Sequence, residues 1–472
     1  MKNKRLYDFI RVIFSNGMGL FLSLAITIIL PIKLSVEGYG YWQLYYFYSS
    51  LVGLLMFGFS DGVNLRYAGI KYKDLNKELF RTYFRFVLFL SVTMFLLSLT
   101  MAFSLLENER LFAFIFISLN IVLFNINGFF LHVNQISLRF KYYSWAIILD
   151  RLIFVLSIAP ILFLPVKDFK IFIIINILSR CVVILYNIVN SKEIVFGKSL
   201  PIRRSLSEIS ANFKVGIFLT TALGINMLLV GYPRFFIDAF LSIEDFAIYS
   251  FANSILSMTI QIVIAISTVL YPLLRRIDIT KYETLNVLLE KSVIILCAVM
   301  LGTYFPIYII INSYLSKYIP LLEYLFCLFP LMIYICKNNI VVSTFYKALR
   351  LEKRLLLNNI IGLVFGITIT FSSFMIFNNI KSIVVTSVVC YALWNHYTEW
   401  QLIKKCNWAN KNRFGDLVIV IGFLLISRIF TPAWGLLWYG LYLFIIGFLL
   451  RRTLKSWLSD ILHLLGRKNL QN

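Results

Sequence analysis

Residues 34–42 read LSVEGYGYW, and residues 241–249 read LSIEDFAIY. The second stretch begins 207 positions after the first, and each follows an apolar run. An echo at equivalent places in the two halves of a chain points to an internal repeat. The segments between the two copies decide what kind of repeat it is.

Those segments are apolar. Hydrophobic residues make up 60% of the 472-residue chain and charged residues 14%, with a mean hydropathy of +0.83. A soluble domain holds about 25% charged residues, because its surface needs them. A chain this poor in charge and this apolar is built for lipid. A spanning helix needs about 20 mostly apolar residues. Walking the chain predicts fourteen spans, at 12–33, 40–60, 86–104, 111–133, 144–165, 171–190, 215–237, 246–271, 290–312, 319–346, 356–378, 382–403, 415–430 and 433–450.

The charges test that division. The chain carries 45 Lys and Arg against 22 Asp and Glu, a net charge of +23. If the N-terminus is cytoplasmic, alternate loops should hold the basic residues. Thirty-four of the 45 fall on that side, seven on the other and four inside spans. The basic excess is therefore loop topology, and a nucleic-acid partner is not expected. Both termini are expected in the cytoplasm, in a bacterial inner membrane. No loop is long enough for a soluble catalytic domain, so an enzyme is not expected. The six cysteines (181, 297, 327, 336, 390 and 406) show no metal-binding or disulfide spacing. No nucleotide-binding motif appears, so no cofactor is expected. The basic, then apolar N-terminus lacks a small-residue cleavage site, which argues against a removed signal peptide.

Six predicted spans separate the two echoed stretches. Six is even, so both stretches face the same side and the repeat is parallel, about an axis along the membrane normal. The expected fold is an all-α polytopic membrane protein of about 14 transmembrane helices. Two like-oriented six-helix lobes span residues 1–200 and 201–410, helices 13 and 14 span 411–451, and an amphipathic cytoplasmic tail spans 452–472. In that tail Trp457, Leu458, Ile461, Leu462 and Leu465 share a stripe. Two like-oriented lobes are the architecture of alternating-access transporters, with substrate bound between them.

The residues that follow the spans extend the comparison. They are Leu34, Ser35, Gly38, Tyr39 and Gly40 after span 1; Gly58-Phe59-Ser60-Asp61 with Arg66-Tyr67 at span 2; Arg234 with Phe235-Phe236-Ile237 in span 7; and Ile248-Tyr249-Ser250-Phe251-Ala252 in span 8. With these the sequence resembles the polysaccharide-transporter branch of the multidrug/oligosaccharidyl-lipid/polysaccharide exporter superfamily. Within it, it is most similar to the flippases for undecaprenyl-diphosphate-linked O-antigen or capsule repeat units. Ser35 and Ser242 stand where glycine is common, and Pro233 where an acid is frequent. The resemblance implies export of a lipid-linked oligosaccharide to the outer leaflet. It also implies contact with membrane lipids and other polysaccharide-assembly proteins as partners. A peptidoglycan-precursor flippase or a drug/proton antiporter of the same fold is the alternative. A membrane polymerase or acyltransferase is the alternative of another class.

An anionic diphosphate calls for cations in a wet cavity, and sugars call for amides and hydroxyls. Four basic residues lie inside spans: Arg151, Arg180, Arg234 and Lys337. Each costs about 2.5–3.5 kcal/mol at a helix centre, so each should have a use or a partner. Arg180 and Lys337 are read as phosphate handles, with ion pairs or amide networks as the other reading. Arg151 adjoins Asp150, and Arg234 lies near Asp238. Asn16, Gln43, Asn226, Asn253 and Gln261 are candidate sugar contacts, or hydrogen bonds between helices. Asp150, Glu399, His132 and His396 are the candidates for coupling to an ion gradient. The aromatic run from Tyr39 to Tyr48 is expected to form an interfacial belt.

Overall fold

A computed structural model describes residues 17–18, 22, 26–165, 167–274, 281–408, 415–449 and 451. Asn16 and the predicted tail helix lie outside the described residues. Among the described residues the chain is helical, with no strand.

The echoed nonapeptide is a helix-start signal. Helical residues 26–33 end at Leu34, and Ser35 takes an extended backbone (φ −63°, ψ 164°). Its hydroxyl accepts from the Gly38 N–H at 3.0 Å and caps α1 (Val36–Leu51). In the second copy, α8 (Ile243–Leu274) starts directly after Ser242. Glu37 in α1, and Glu244 and Asp245 in α8, put negative charge in the first turn, where the helix dipole favours it. The two copies also touch. A Cβ on Gly40 would lie 2.5 Å from the Ile243 carbonyl oxygen, so only glycine allows this approach.

The second predicted span is not one helix. After α1 the chain tightens into a 3-10 turn (Val52–Met56). It then passes through left-handed Phe57 (φ 47°) and Gly58 (φ 89°) and resumes as α2 (Phe59–Tyr67). Four long helices follow: α3 (Lys77–Leu105), α4 (Asn108–Ile136), α5 (Phe140–Ile158) and α6 (Phe169–Asn190). Next comes α7 (Ile202–Phe240), whose first half packs against the break. Gly58 and Gly62 meet the backbone of Asn212, Gly216 and Ile217 with no room for a methyl group on Gly58, Gly62 or Gly216.

Beyond α8 lie α9 (Tyr282–Leu301) and α10 (Tyr304–Tyr314). The tenth predicted span is composite. A 3-10 turn (Ser316–Leu321) leads into α11 (Leu322–Leu328), then α12 (Leu331–Lys337), a π-turn (Asn338–Val342) and α13 (Ser343–Ala348). Its two halves bend by 51° at Phe329–Pro330, where proline cannot continue the backbone ladder. The chain finishes with α14 (Glu352–Phe377), α15 (Ile380–Cys406), α16 (Gly415–Ile429) and α17 (Pro432–Leu449).

Among the described residues, eight helices are long and apolar enough to cross a membrane, or nine if the bent pair is one span. The chain is thus an all-α, multi-pass membrane protein. It divides into two compact units. One holds Met1–Met227 with Ile243–Ala247; the other holds Leu228–Ser242 with Ile248–Asn472. The division falls within α7.

The aromatic run of α1 is mostly turned inward, with Tyr46 left exposed. Tyr39, Trp42, Tyr45 and Phe47 are buried. Trp42 stacks on Phe154 of α5 at 5.6 Å, and Tyr41 stacks on Phe169 of α6 at 5.0 Å. These rings are the packing surface between α1 and its neighbours.

Candidate functional site

In the first unit, α1, α4 and α6 face one another with polar groups at matching depth. Helix α4 supplies Asn120 and Asn127, and α6 supplies Asn176, Arg180 and Asn187. The Tyr45 hydroxyl of α1 donates to Asn176 Oδ1 at 2.8 Å. Asn187 Nδ2 donates to Asn127 Oδ1 at 2.9 Å. Between these two contacts, Arg180 Nη1 donates to Asn120 Oδ1, and the guanidinium carbon lies 5.8 Å from the centre of the Phe124 ring.

Every one of these partners is neutral. No carboxylate lies within ion-pair distance of Arg180 among the described residues, and its side chain is partly exposed. Asn120 holds the guanidinium by one nitrogen, which leaves N–H donors on the others. The result is a fixed positive charge on an intramembrane helix, with the fork geometry that suits phosphate oxygens.

Lys337 has the opposite setting. It ends α12 in the second unit, just before the π-turn, and is fully buried. Its ammonium lies 2.8 Å from Glu399 of α15, 3.1 Å from Glu290 of α9 and 3.3 Å from Asp416 of α16. His396, one turn before Glu399, has Nε2 3.5 Å from Asp416 Oδ2 and Nδ1 3.9 Å from Glu399 Oε2. This corrects the reading of Lys337 as a phosphate handle. Three carboxylates enclose its ammonium, and a buried charge so paired has no open face for an anion. Among the described residues no group of His, Cys, Asp and Glu side chains is arranged to hold a metal ion.

The other predicted residues are scattered between the units. Arg151 lies 3.9 Å from its own neighbour Asp150, both partly exposed. Arg234 is partly buried on α7, within electrostatic reach of Tyr249. Gln43 is buried and donates to the Tyr39 hydroxyl at 2.5 Å, so its amide bonds within its own helix. Asn253 is buried, whereas Asn226 and Gln261 are partly exposed. His132 of α4 lies within electrostatic reach of Asp61, whose carboxylate accepts from the Thr220 hydroxyl. On the second unit, α7 and α14 border an apolar groove of about 280 Å³ lined by Leu228, Tyr232, Phe235, Phe236, Leu363 and Ile367.

Sequence reasoning missed Glu290 and Asp416. Both stood at the edges of predicted spans, at 290–312 and 415–430, and so counted as loop charges. Helix α9 in fact begins eight residues before Glu290, which places that carboxylate well inside the helix. The signal available was a lone intramembrane lysine, since such a charge must find acids at its own depth.

The fold defines the class: a polytopic helical membrane protein whose fold is shared with known membrane transporters. Lipid II flippase MurJ in an inward closed conformation is similar with a TM-score of 0.67 at 14% identity, over 95% of this chain and 100% of that one. A multidrug resistance MATE family transporter of the MOP superfamily is similar in its inward-facing conformation, with a TM-score of 0.63 at 12% identity over 85% and 100% of the two chains. An outward-facing conformation of such a transporter gives 0.57 at 12% identity, over 85% and 95%. These neighbours are transporters and a flippase, not enzymes. The profile of one family, described as "Polysaccharide biosynthesis protein", matches residues 6–278. The chain belongs to this polysaccharide biosynthesis protein family. No curated protein sequence matches it.

Proposed function

We propose that this protein is a flippase of the bacterial cytoplasmic membrane, with both termini in the cytoplasm. Its substrate is an undecaprenyl-diphosphate-linked oligosaccharide repeat unit of O-antigen or capsule type. It carries that unit from the cytoplasmic to the outer leaflet by alternating access between two six-helix lobes. The observation that carries the reading is Arg180: a partly exposed guanidinium, inside a span, held among the described residues only by neutral groups. A drug cation would be repelled there, whereas a diphosphate gains charge-assisted hydrogen bonds. The likeness to a lipid II flippase and the polysaccharide biosynthesis family both support a lipid-linked saccharide.

Arg151 and Arg234 are the secondary cations in this reading. Asn16, Gln43, Asn226, Asn253 and Gln261 are its sugar contacts. The groove beside Phe235 and Phe236 gives the polyprenyl tail an apolar surface on the same helix as Arg234. Asp150 and His132, with Glu399 and His396, are its coupling groups.

The test is export of lipid-linked repeat units in cells that depend on this protein. Arg180→Ala should strand the units on the cytoplasmic leaflet while leaving the protein inserted. Arg180→Lys should restore part of the export. Export by Arg180→Ala at the normal rate would remove the phosphate-handle reading.

A further inference from the structure

The second unit carries a cleft that the transport reading does not use. It holds about 470 Å³, a volume typical of small-molecule sites. Its walls are α10, the 3-10 turn and α11 that follow it, and the tight turn between α16 and α17. On the topology proposed above, this is the outer end of those spans.

Several polar groups of the cleft lack a protein partner. Arg428 lies in the last turn of α16 and is exposed. Among the described residues no hydrogen bond or ion pair holds its guanidinium. Tyr304 is 3% exposed, and the rings of Phe329 and Phe423 pack on it at 5.5 and 5.4 Å. Its hydroxyl and that of Tyr308 make no hydrogen bond among the described residues, although both side chains line the cleft. The other polar groups are in use. Ser427 Oγ donates to the Leu424 carbonyl at 3.1 Å, and Glu323 pairs with Lys381 at 2.5 Å. A guanidinium and two phenols are donors in want of acceptors, and an anion with several oxygens supplies them.

The rim says what that anion is attached to. Ile319, Ile429 and Trp434 are 42, 69 and 62% exposed. On membrane-spanning helices such side chains meet acyl chains, and tryptophan sits at the level of the headgroups. A soluble anion or a free sugar has no use for this apolar border. We propose that the cleft binds the headgroup of an anionic phospholipid. Its phosphodiester lies against Arg428 and the Tyr304 and Tyr308 hydroxyls, and its acyl chains run along Ile319, Phe326 and Phe430. The bound lipid fastens α10 and α11 to the α16–α17 hairpin. The binding does not depend on the flippase reading; only the assignment to the outer leaflet does.

The experiment is native mass spectrometry of the full-length protein in detergent, titrated with phosphatidylglycerol. Phosphatidylcholine and inorganic phosphate are the comparisons. We expect phosphatidylglycerol adducts that outlast those of phosphatidylcholine and that inorganic phosphate does not displace. Arg428→Ala removes a charge-assisted contact and should weaken phosphatidylglycerol binding about tenfold. Tyr304→Phe keeps the ring packing, removes one donor and should weaken it about fivefold. A photoactivatable phosphatidylglycerol should crosslink the wild-type protein within residues 304–326 or 427–434. Undiminished binding by Arg428→Ala, equal binding of phosphatidylcholine or crosslinks confined to other segments would overturn the proposal. So would displacement by inorganic phosphate, which would make the cleft a site for free anions. The crosslinking uses the wild-type chain, so misfolding of a variant cannot hide the answer.

Discussion

Lys337 Nζ and Glu399 Oε2 lie 2.8 Å apart, in a pocket where neither side chain is more than 3% exposed. The pair joins the bent tenth span to α15, and Glu290 and Asp416 extend it to α9 and α16. Breaking a buried pair by removing one partner costs about 3–5 kcal/mol, because the other charge stays behind. Lys337→Met should therefore lower the stability of the detergent-solubilised protein by about that much. Adding Glu399→Gln to Lys337→Met should recover part of the loss. Thermal unfolding of the two single variants and the double variant measures the coupling. Additive losses would show that the pair is not energetically linked.

Asn120 is the neutral partner that leaves Arg180 its charge. Asn120→Asp would place a carboxylate on the guanidinium at nearly unchanged volume. The prediction is loss of repeat-unit export with little loss of folded protein, since the new pair replaces the hydrogen bond. Asn120→Ala should be milder in export and costlier in stability, by about 1 kcal/mol. Leaflet-resolved assay of lipid-linked units, beside expression level, separates the two effects.

Gly62 and Gly216 bring α2 and α7 together backbone to backbone. Either glycine replaced by alanine forces the helices apart. Overpacking of this kind costs about 1–3 kcal/mol. Gly62→Ala and Gly216→Ala should each reduce the yield of monodisperse protein. Gly440→Ala, where a Cβ meets nothing within 4 Å, should not. Size-exclusion profiles of the three variants provide the comparison.

Arg66 and Glu208 pair at 2.8 Å, with Tyr67 and Tyr83 hydroxyls donating to the same Glu208 oxygen at 3.3 and 3.0 Å. The two side chains are 25% and 34% exposed. Solvent screens a pair this open, so Glu208→Gln should cost no more than about 1 kcal/mol. That cost should shrink as salt rises, in contrast to the Lys337 cluster. Melting curves at low and high ionic strength test the difference.

Ser35 caps α1 through the Gly38 N–H. Ser35→Ala should destabilise by about 1 kcal/mol, whereas Ser35→Asn should cost almost nothing. Unequal losses in a thermal melt would support the capping role, and equal ones would discard it.

The helical stretches themselves were legible, whereas several starts were not: α3, α7 and α9 begin at Lys77, Ile202 and Tyr282, ahead of the spans predicted from 86, 215 and 290. Lipid requires long apolar runs, and a serine followed by an acid starts a helix whether it reads LSVE or LSIE. The family resemblance rested on the same segments. The scarcity of buried charge was also legible, so Arg180 and Lys337 could be singled out from composition alone. Glu290 was not, because a carboxylate at a span edge looks like a loop charge until its helix is seen to extend past it, and Asp416 was not, because only packing brings the first turn of α16 onto Lys337.

What the residues by themselves determined is therefore the solvent, the helices and the short list of costly charges. Only the tertiary structure decided which of those charges are neutralised. Arg180 faces amides and an aromatic ring, whereas Lys337 faces three acids drawn from positions 290, 399 and 416. Partners that far apart in sequence meet only through helix packing, and in a low-dielectric interior the identity of the neighbour decides whether a cation is a binding group or a brace.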